Sequence, residues 1–158
     1  RVLFRSYQKA LRRLDRYTGW EKKTVSRSTI YYAKNGRRAV SDDDTDDVTR
    51  VIKKRVKVSD LKLDDQPFDV RLGISTETPY EPDDSDEFDE LKTRVRYSFI
   101  RKNLSIDVSQ VKGNPDDPDS EEDTSFHIEL EIIKPSEIGS DIELKNLMHK
   151  IYDVLAIL

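Results

Sequence analysis

Glu129 and Glu131, in the run His127-Ile128-Glu129-Leu130-Glu131-Ile132, are the residues of this chain whose type and spacing most invite chemistry. On a β-strand side chains alternate with period two, so the two carboxylates share one face and stand about 7 Å apart, while Ile128, Leu130 and Ile132 share the other. Two acids held together on a stiff, apolar strand repel each other. A positive partner is required, either a metal ion or a set of Lys and Arg side chains.

Other segments supply such a basic set with the same alternation. In VTRVIKKRVKV, Lys53, Arg55 and Lys57 oppose Ile52, Val56 and Val58. In FDVRLGISTE, Asp69, Arg71, Ser75 and Glu77 oppose Val70, Leu72 and Ile74. In KTRVRYSFI, Lys92, Arg94 and Arg96 oppose Val95, Tyr97 and Phe99, and in LSIDVSQV, Ser105, Asp107 and Ser109 oppose Leu104, Ile106 and Val108. Five strands are therefore expected, each charged on one face and β-branched or aromatic on the other. Such alternation fits an antiparallel sheet with one face in water. The sharper reading is a barrel or tunnel with a polar lumen for a charged ligand, and periodicity alone does not choose between the two.

These strands must be held by the rest of 158 residues, enough for one domain with a proper core. The absence of cysteine removes disulfides, Cys-based zinc sites and thiol nucleophiles. No apolar run approaches the length of a membrane span. Residues 1–57 carry 17 Lys and Arg against 7 Asp and Glu, whereas the remainder carries 11 against 25, for a net charge of −4. Much of the acid lies in SDDDTDD (41–47), EPDDSDEFDE (81–90) and GNPDDPDSEED (113–123), which read as solvated hairpin or crossover loops. Overall acidity argues against tight nonspecific duplex binding and leaves room for a local basic site.

Both ends read as helices. Leu3, Tyr7, Leu11 and Leu14 form a narrow apolar stripe flanked by basic residues, the pattern of a packing helix with a solvated basic face. Near the other end Ser140 and Glu143 provide a cap, and Leu144, Leu147, Met148, Ile151, Val154, Leu155 and Leu158 are expected to form a wide buried face.

Familiar catalytic sets are missing: only His127 and His149 are histidines, no G-x-S-x-G elbow is present, and no Gly-rich phosphate loop occurs. The remaining option is oxygen-ligated metal chemistry with basic side chains stabilising anionic charge. That constellation suits a polyphosphate: carboxylates hold Mg²⁺ or Mn²⁺, Lys and Arg neutralise phosphate oxygens, and a Glu orients the attacking water.

The order VIKKRV, FDVRLGISTETP, ELKTRVRYSF, LSIDVSQV and FHIELEI resembles the fungal-type mRNA 5′-triphosphatases, the mRNA-capping enzyme beta subunits, over roughly residues 24 to 132. These are triphosphate tunnel metalloenzymes. The resemblance implies an α+β fold, an antiparallel β-barrel or tunnel with a polar, charged interior and helices packed outside. It implies a hydrolase that removes the γ-phosphate from nascent mRNA 5′-triphosphate ends in the first step of capping, with Mg²⁺ or Mn²⁺. Its implied partners are 5′-triphosphate RNA, the RNA guanylyltransferase, the RNA polymerase II transcription machinery and a second copy of the chain, in the nucleus and without a membrane.

Carried over residue by residue, the resemblance makes Glu131 a direct metal ligand, with Glu129 and Asp107 reaching the metal through water. Glu77 in STETP orients the water nucleophile, and Lys92 and Arg94 form the tunnel's Lys-x-Arg pair. Lys53 and Arg38, the latter in NGRRAVS, join Lys92 and Arg94 on phosphate. Ser109 is a supporting hydroxyl and Arg71 has a supporting role.

Several positions depart from the pattern. His127 stands where the first of three alternating acids is usual, and Ser105 where a basic tunnel residue is common. Taken as a single domain over 1–158, the chain shows neither the Glu-x-Glu strand expected ahead of Arg1 nor the basic closing strand expected after Leu158. A truncated active enzyme explains the two ends. A catalytically weak tunnel protein, gripping polyphosphate or 5′-triphosphate RNA or acting as an assembly partner, explains His127 and Ser105. An upstream Glu-x-Glu strand would favour the enzyme.

Overall fold

The computed structural model describes residues 2–64, 70–83, 86–113 and 124–158. Its elements run α1 (Phe4–Arg16), β1 (Lys22–Tyr32), β2 (Arg37–Asp42), β3 (Val48–Leu61), β4 (Val70–Pro79), β5 (Glu90–Arg101), β6 (Leu104–Gly113), β7 (Thr124–Ile132), a 3₁₀ turn (Pro135–Glu137) and α2 (Asp141–Ile157). The strands form one sheet in the order β4-β3-β2-β1-β5-β6-β7. The α+β class with an antiparallel sheet and two helices is as the sequence implies. The five expected strands are β3 to β7, and the hairpin β1–β2 is an addition. Asp69 and the acidic run 114–123 lie outside the described residues. Among the described residues no helix is long and apolar enough to cross a membrane. The chain divides into two compact units: Arg1–Val25, Val95–Gln110 and Ser125–Leu158 form the first, and Ser26–Arg94 and Val111–Thr124 the second.

The first unit holds the hydrophobic core. Tyr7, Ala10 and Leu14 of α1 and Val154 of α2 pack with Phe99, Leu104, Ile106 and Val108 from the strands. Full burial of each large apolar side chain contributes about 1.5–3 kcal/mol. Phe126 of β7 meets the Tyr7 ring at 4.8 Å and the Phe4 ring at 5.2 Å between centroids. Arg13 and Arg16 in the last turn of α1 suit the negative end of its dipole, and the Trp20 indole donates to the Leu14 carbonyl at 2.7 Å.

Two helix expectations change. The stripe on α1 runs Tyr7-Ala10-Leu14, while Leu3 is the cap residue and 75% exposed, because the helix begins one residue after it. On α2 the Ser140 hydroxyl accepts from Glu143 N at 3.2 Å, as the cap expectation holds. Its Glu143 carboxylate accepts from Gly139 N at 2.7 Å. The wide buried face does not form: only Val154 is buried, Leu147 and Leu158 pack at the margin, and Leu144 is exposed. An apolar stripe is buried only to the width of the surface it meets.

In the second unit β1 and β2 pair with Tyr32 opposite Arg38 and Ile30 opposite Val40. Their turn depends on Gly36, whose φ of +84 is left-handed and whose missing Cβ would stand 2.9 Å from the Lys53 carbonyl oxygen. The Asp-rich turn after β2 is local, as expected: Asp42 Oδ1 accepts from Asp44 N and Thr45 N at 2.9 and 3.0 Å.

The strand β3 corrects the expected face of Lys57. Lys53 pairs with Glu77 and Arg55 with Ser75, but a bulge makes Lys57 the partner of Ile74. Paired residues share a face, so Lys57 joins the Ile74 side and leaves Lys53 and Arg55.

The 81–90 run is also more than a solvated loop. Arg37 donates to Asp83 at 3.0 Å through both terminal nitrogens and to Asp86 at 2.7 Å, and lies over the Tyr80 ring. Phe88 packs on Tyr31, and the Asp89 carboxylate accepts from Lys34 N. Acidic side chains in a loop solvate freely only where no cation on the sheet recruits them.

Candidate functional site

In the second unit, β1 to β4 place Tyr32, Arg38, Val51, Lys53 and Glu77 on a common face through the cross-strand pairs Tyr32–Arg38, Arg38–Val51, Val51–Pro79 and Lys53–Glu77. Lys53 Nζ is 2.8 Å from Glu77 Oε1. This hydrogen bond, and next the Lys53 and Arg38 charges, hold the Glu77 carboxyl below its ordinary value. Glu77 is thus a firmly ionised acceptor, suited to hold a water by hydrogen bonding more than to abstract a proton at low pH.

Arg38 lies over Tyr32 with its guanidinium carbon 4.8 Å from the ring centroid, and its buried Nε has no hydrogen-bond partner among the described residues. Lys92 Nζ lies 5.4 Å from the same centroid and 2.8 Å from Glu90. Arg94, two residues along β5, is half-buried. Cations grouped in this way have the chemistry that suits an anion.

A different cluster occupies the first unit, on the strand faces opposite its core. Asp107 is 3% exposed. It accepts from Ser105 Oγ at 2.6 Å and pairs with Arg96 Nη1 at 3.2 Å. Arg96 Nη2 reaches Glu129 at 2.9 Å and its Nε approaches Ser109 Oγ at 3.4 Å. One guanidinium thereby ties β5, β6 and β7 together, and the buried carboxylate escapes the desolvation cost of isolation. His127 shares a 2.9 Å hydrogen bond with Ser125, and Glu131 is exposed on the same face of β7.

Among the described residues no three His, Asp or Glu side chains converge on a metal centre, and Asp107 and Glu129 already share Arg96 as their cation. Of the residues singled out from the sequence, Arg38, Lys53, Glu77 and Lys92 come together in the second unit. Asp107, Ser109 and Glu129 come together in the first, through Arg96. Arg71 joins neither: it pairs with Asp60 at 2.6 Å on the exposed ends of β3 and β4.

Sequence reasoning gave no role to Arg96 and none to Tyr32. A signal for Arg96 was present in its alternation with Lys92 and Arg94. Tyr32 had none, because its importance lies in a cross-strand neighbour.

A family model described as mRNA capping enzyme, beta chain, matches residues 17–154. No curated protein matches the sequence. Among solved structures, the S. pombe Pct1 RNA triphosphatase is similar at a TM-score of 0.79 and 15% identity, covering 98% of this chain and 68% of that one. Pct1 in complex with the Spt5 CTD is similar at a TM-score of 0.74 and 17% identity, with the same coverage. The two likenesses establish a shared fold.

Proposed function

Because this chain belongs to the mRNA capping enzyme beta chain family, we propose that it is an RNA 5′-triphosphatase, a hydrolase that removes the γ-phosphate from nascent mRNA ends in the first step of capping. The observation that carries the reading is the shared face of Arg38, Lys53 and Glu77, beside Tyr32 and Lys92: cations for phosphate oxygens and an ionised carboxylate paired with one of them.

Phosphoryl transfer asks a protein for positioning and charge stabilisation more than for covalent chemistry. Arg38, Lys53, Lys92 and Arg94 bind and orient the triphosphate and offset its charge. An ammonium has three donors, so Lys53 can contact phosphate while retaining Glu77. Glu77 then accepts a hydrogen bond from the attacking water and aligns it. Arg96 keeps Asp107 and Glu129 fixed.

Dependence on Mg²⁺ or Mn²⁺ is part of the proposal through family membership, with Glu131, Glu129 and Asp107 as the acids this chain would contribute. In this structure Arg96 holds two of the three. The neutralised carboxylates favour one second reading, a protein that binds 5′-triphosphate ends with little turnover. A nuclear location, the RNA guanylyltransferase, the transcription machinery and homodimerisation complete the proposal.

The test is phosphate release from γ-labelled 5′-triphosphate RNA by the full-length protein, with and without Mg²⁺ or Mn²⁺. Release of one phosphate, leaving a 5′-diphosphate end, is expected. Binding without release would support the second reading, and neither binding nor release would overturn both.

A further inference from the structure

Tyr32 stands among the phosphate cations with no role in the chemistry described so far. Its ring is within reach of two positive side chains at once, Arg38 at 4.8 Å and Lys92 at 5.4 Å. Like charges drawn to one ring repel; the Glu90 carboxylate offsets part of this at Lys92, and a further negative surface favours the pair. The π-face of tyrosine supplies one, and it does so without the full charge that would neutralise the site against an incoming anion.

The position of Arg38 over the ring adds a second consequence. A guanidinium beside an aromatic face can still direct N–H groups to an oxyanion at the ring's edge. Its Nε is enclosed and unmatched among the described residues, so contact with a ligand falls to the terminal nitrogens of this half-buried side chain.

The backbone that carries the ring is anchored. Tyr32 and Arg38 are direct cross-strand partners, and the Tyr32 carbonyl accepts from Asp89 N at 2.8 Å. Lys92 retains Glu90 as a companion at 2.8 Å, so one of its three donors is engaged and the others remain for phosphate.

We propose that Tyr32 is a positioning residue of the phosphate site, whose π-system holds Arg38 and Lys92 together and presents the Arg38 donors to the triphosphate. This rests on the phosphate-binding reading of the same cations and deepens it. The substrate class is a linear polyphosphate, with Tyr32 acting on binding through its two cations.

The experiment measures the affinity of tripolyphosphate for the full-length protein by calorimetry, with a thermal melt for each variant. Tyr32→Phe keeps the ring and should bind within about twofold of wild type. Tyr32→Leu removes the π-face and should bind about tenfold more weakly. Replacing Tyr32 by phenylalanines with one, two and three ring fluorines drains the quadrupole at nearly constant shape. The logarithm of Kd should rise steadily along that series at unchanged Tm, a trend that a merely structural aromatic would not give, and which stays readable even if the Leu variant fails to fold. A flat series, with wild type binding normally, overturns the role of Tyr32 alone. A wild-type protein that does not bind tripolyphosphate overturns the phosphate-site reading and this inference with it.

Discussion

Arg37 and Arg38 are neighbours on β2 whose side chains serve opposite faces. Arg37 is held by Asp83 and Asp86 and lies over Tyr80, whereas Arg38 lies over Tyr32 with its Nε unmatched among the described residues. The first arginine secures a loop, and the second is one of the cations proposed to hold phosphate. Arg37→Met should lower Tm while leaving tripolyphosphate affinity near wild type in the folded protein. Arg38→Met should do the reverse, weakening affinity about tenfold or more with little change in Tm. Melts and calorimetry on the two variants check this, and equal effects on both quantities would contradict it.

The Lys53–Glu77 pair should give stability a definite dependence on pH. Hydrogen bonding to Lys53 lowers the Glu77 pKa in the folded state. The pair's contribution is therefore complete above the ordinary glutamate value of about 4.3 and is lost as pH falls through the lowered folded value. Lys53→Met removes the shift, so its Tm should fall below wild type at pH 7 and the gap should narrow towards pH 3. A gap independent of pH would show that Lys53 acts by packing.

Glu77→Gln keeps the size of the side chain and removes its charge. If Glu77 aligns the attacking water, kcat for γ-phosphate release should fall by about 10²-fold or more while KM changes little. Steady-state kinetics on 5′-triphosphate RNA decides the matter. A rise in KM at constant kcat would make Glu77 a binding group.

Arg96 is the cation of a buried acid. Arg96→Met leaves Asp107 enclosed with Ser105 as its remaining partner among the described residues, and should cost about 3 kcal/mol in urea denaturation. Adding Asp107→Asn removes the stranded charge and should recover part of the loss. A double variant no more stable than Arg96→Met would mean that Arg96 contributes chiefly through its stem.

By itself the sequence determined which residues share a face of β5, β6 and β7. Period two is a property of the extended backbone, so the separation of Arg96, Asp107 and Glu129 from Phe99, Ile106 and Leu130 needed no tertiary information. The same holds for the Ser140 cap, which is made within one turn. Tertiary structure decided everything that depends on a neighbour. A bulge, set by pairing with β4, turned Lys57 away from Lys53. Pairing across β1 and β2 gave Tyr32 to Arg38, and a distant loop claimed Arg37. The width of the surface under α2, not its own stripe, fixed how much of that helix is buried. Arg96 became the partner of Asp107 and Glu129 because three strands align in space, and alternation along one strand can place a charge on a face without saying which charge it will meet.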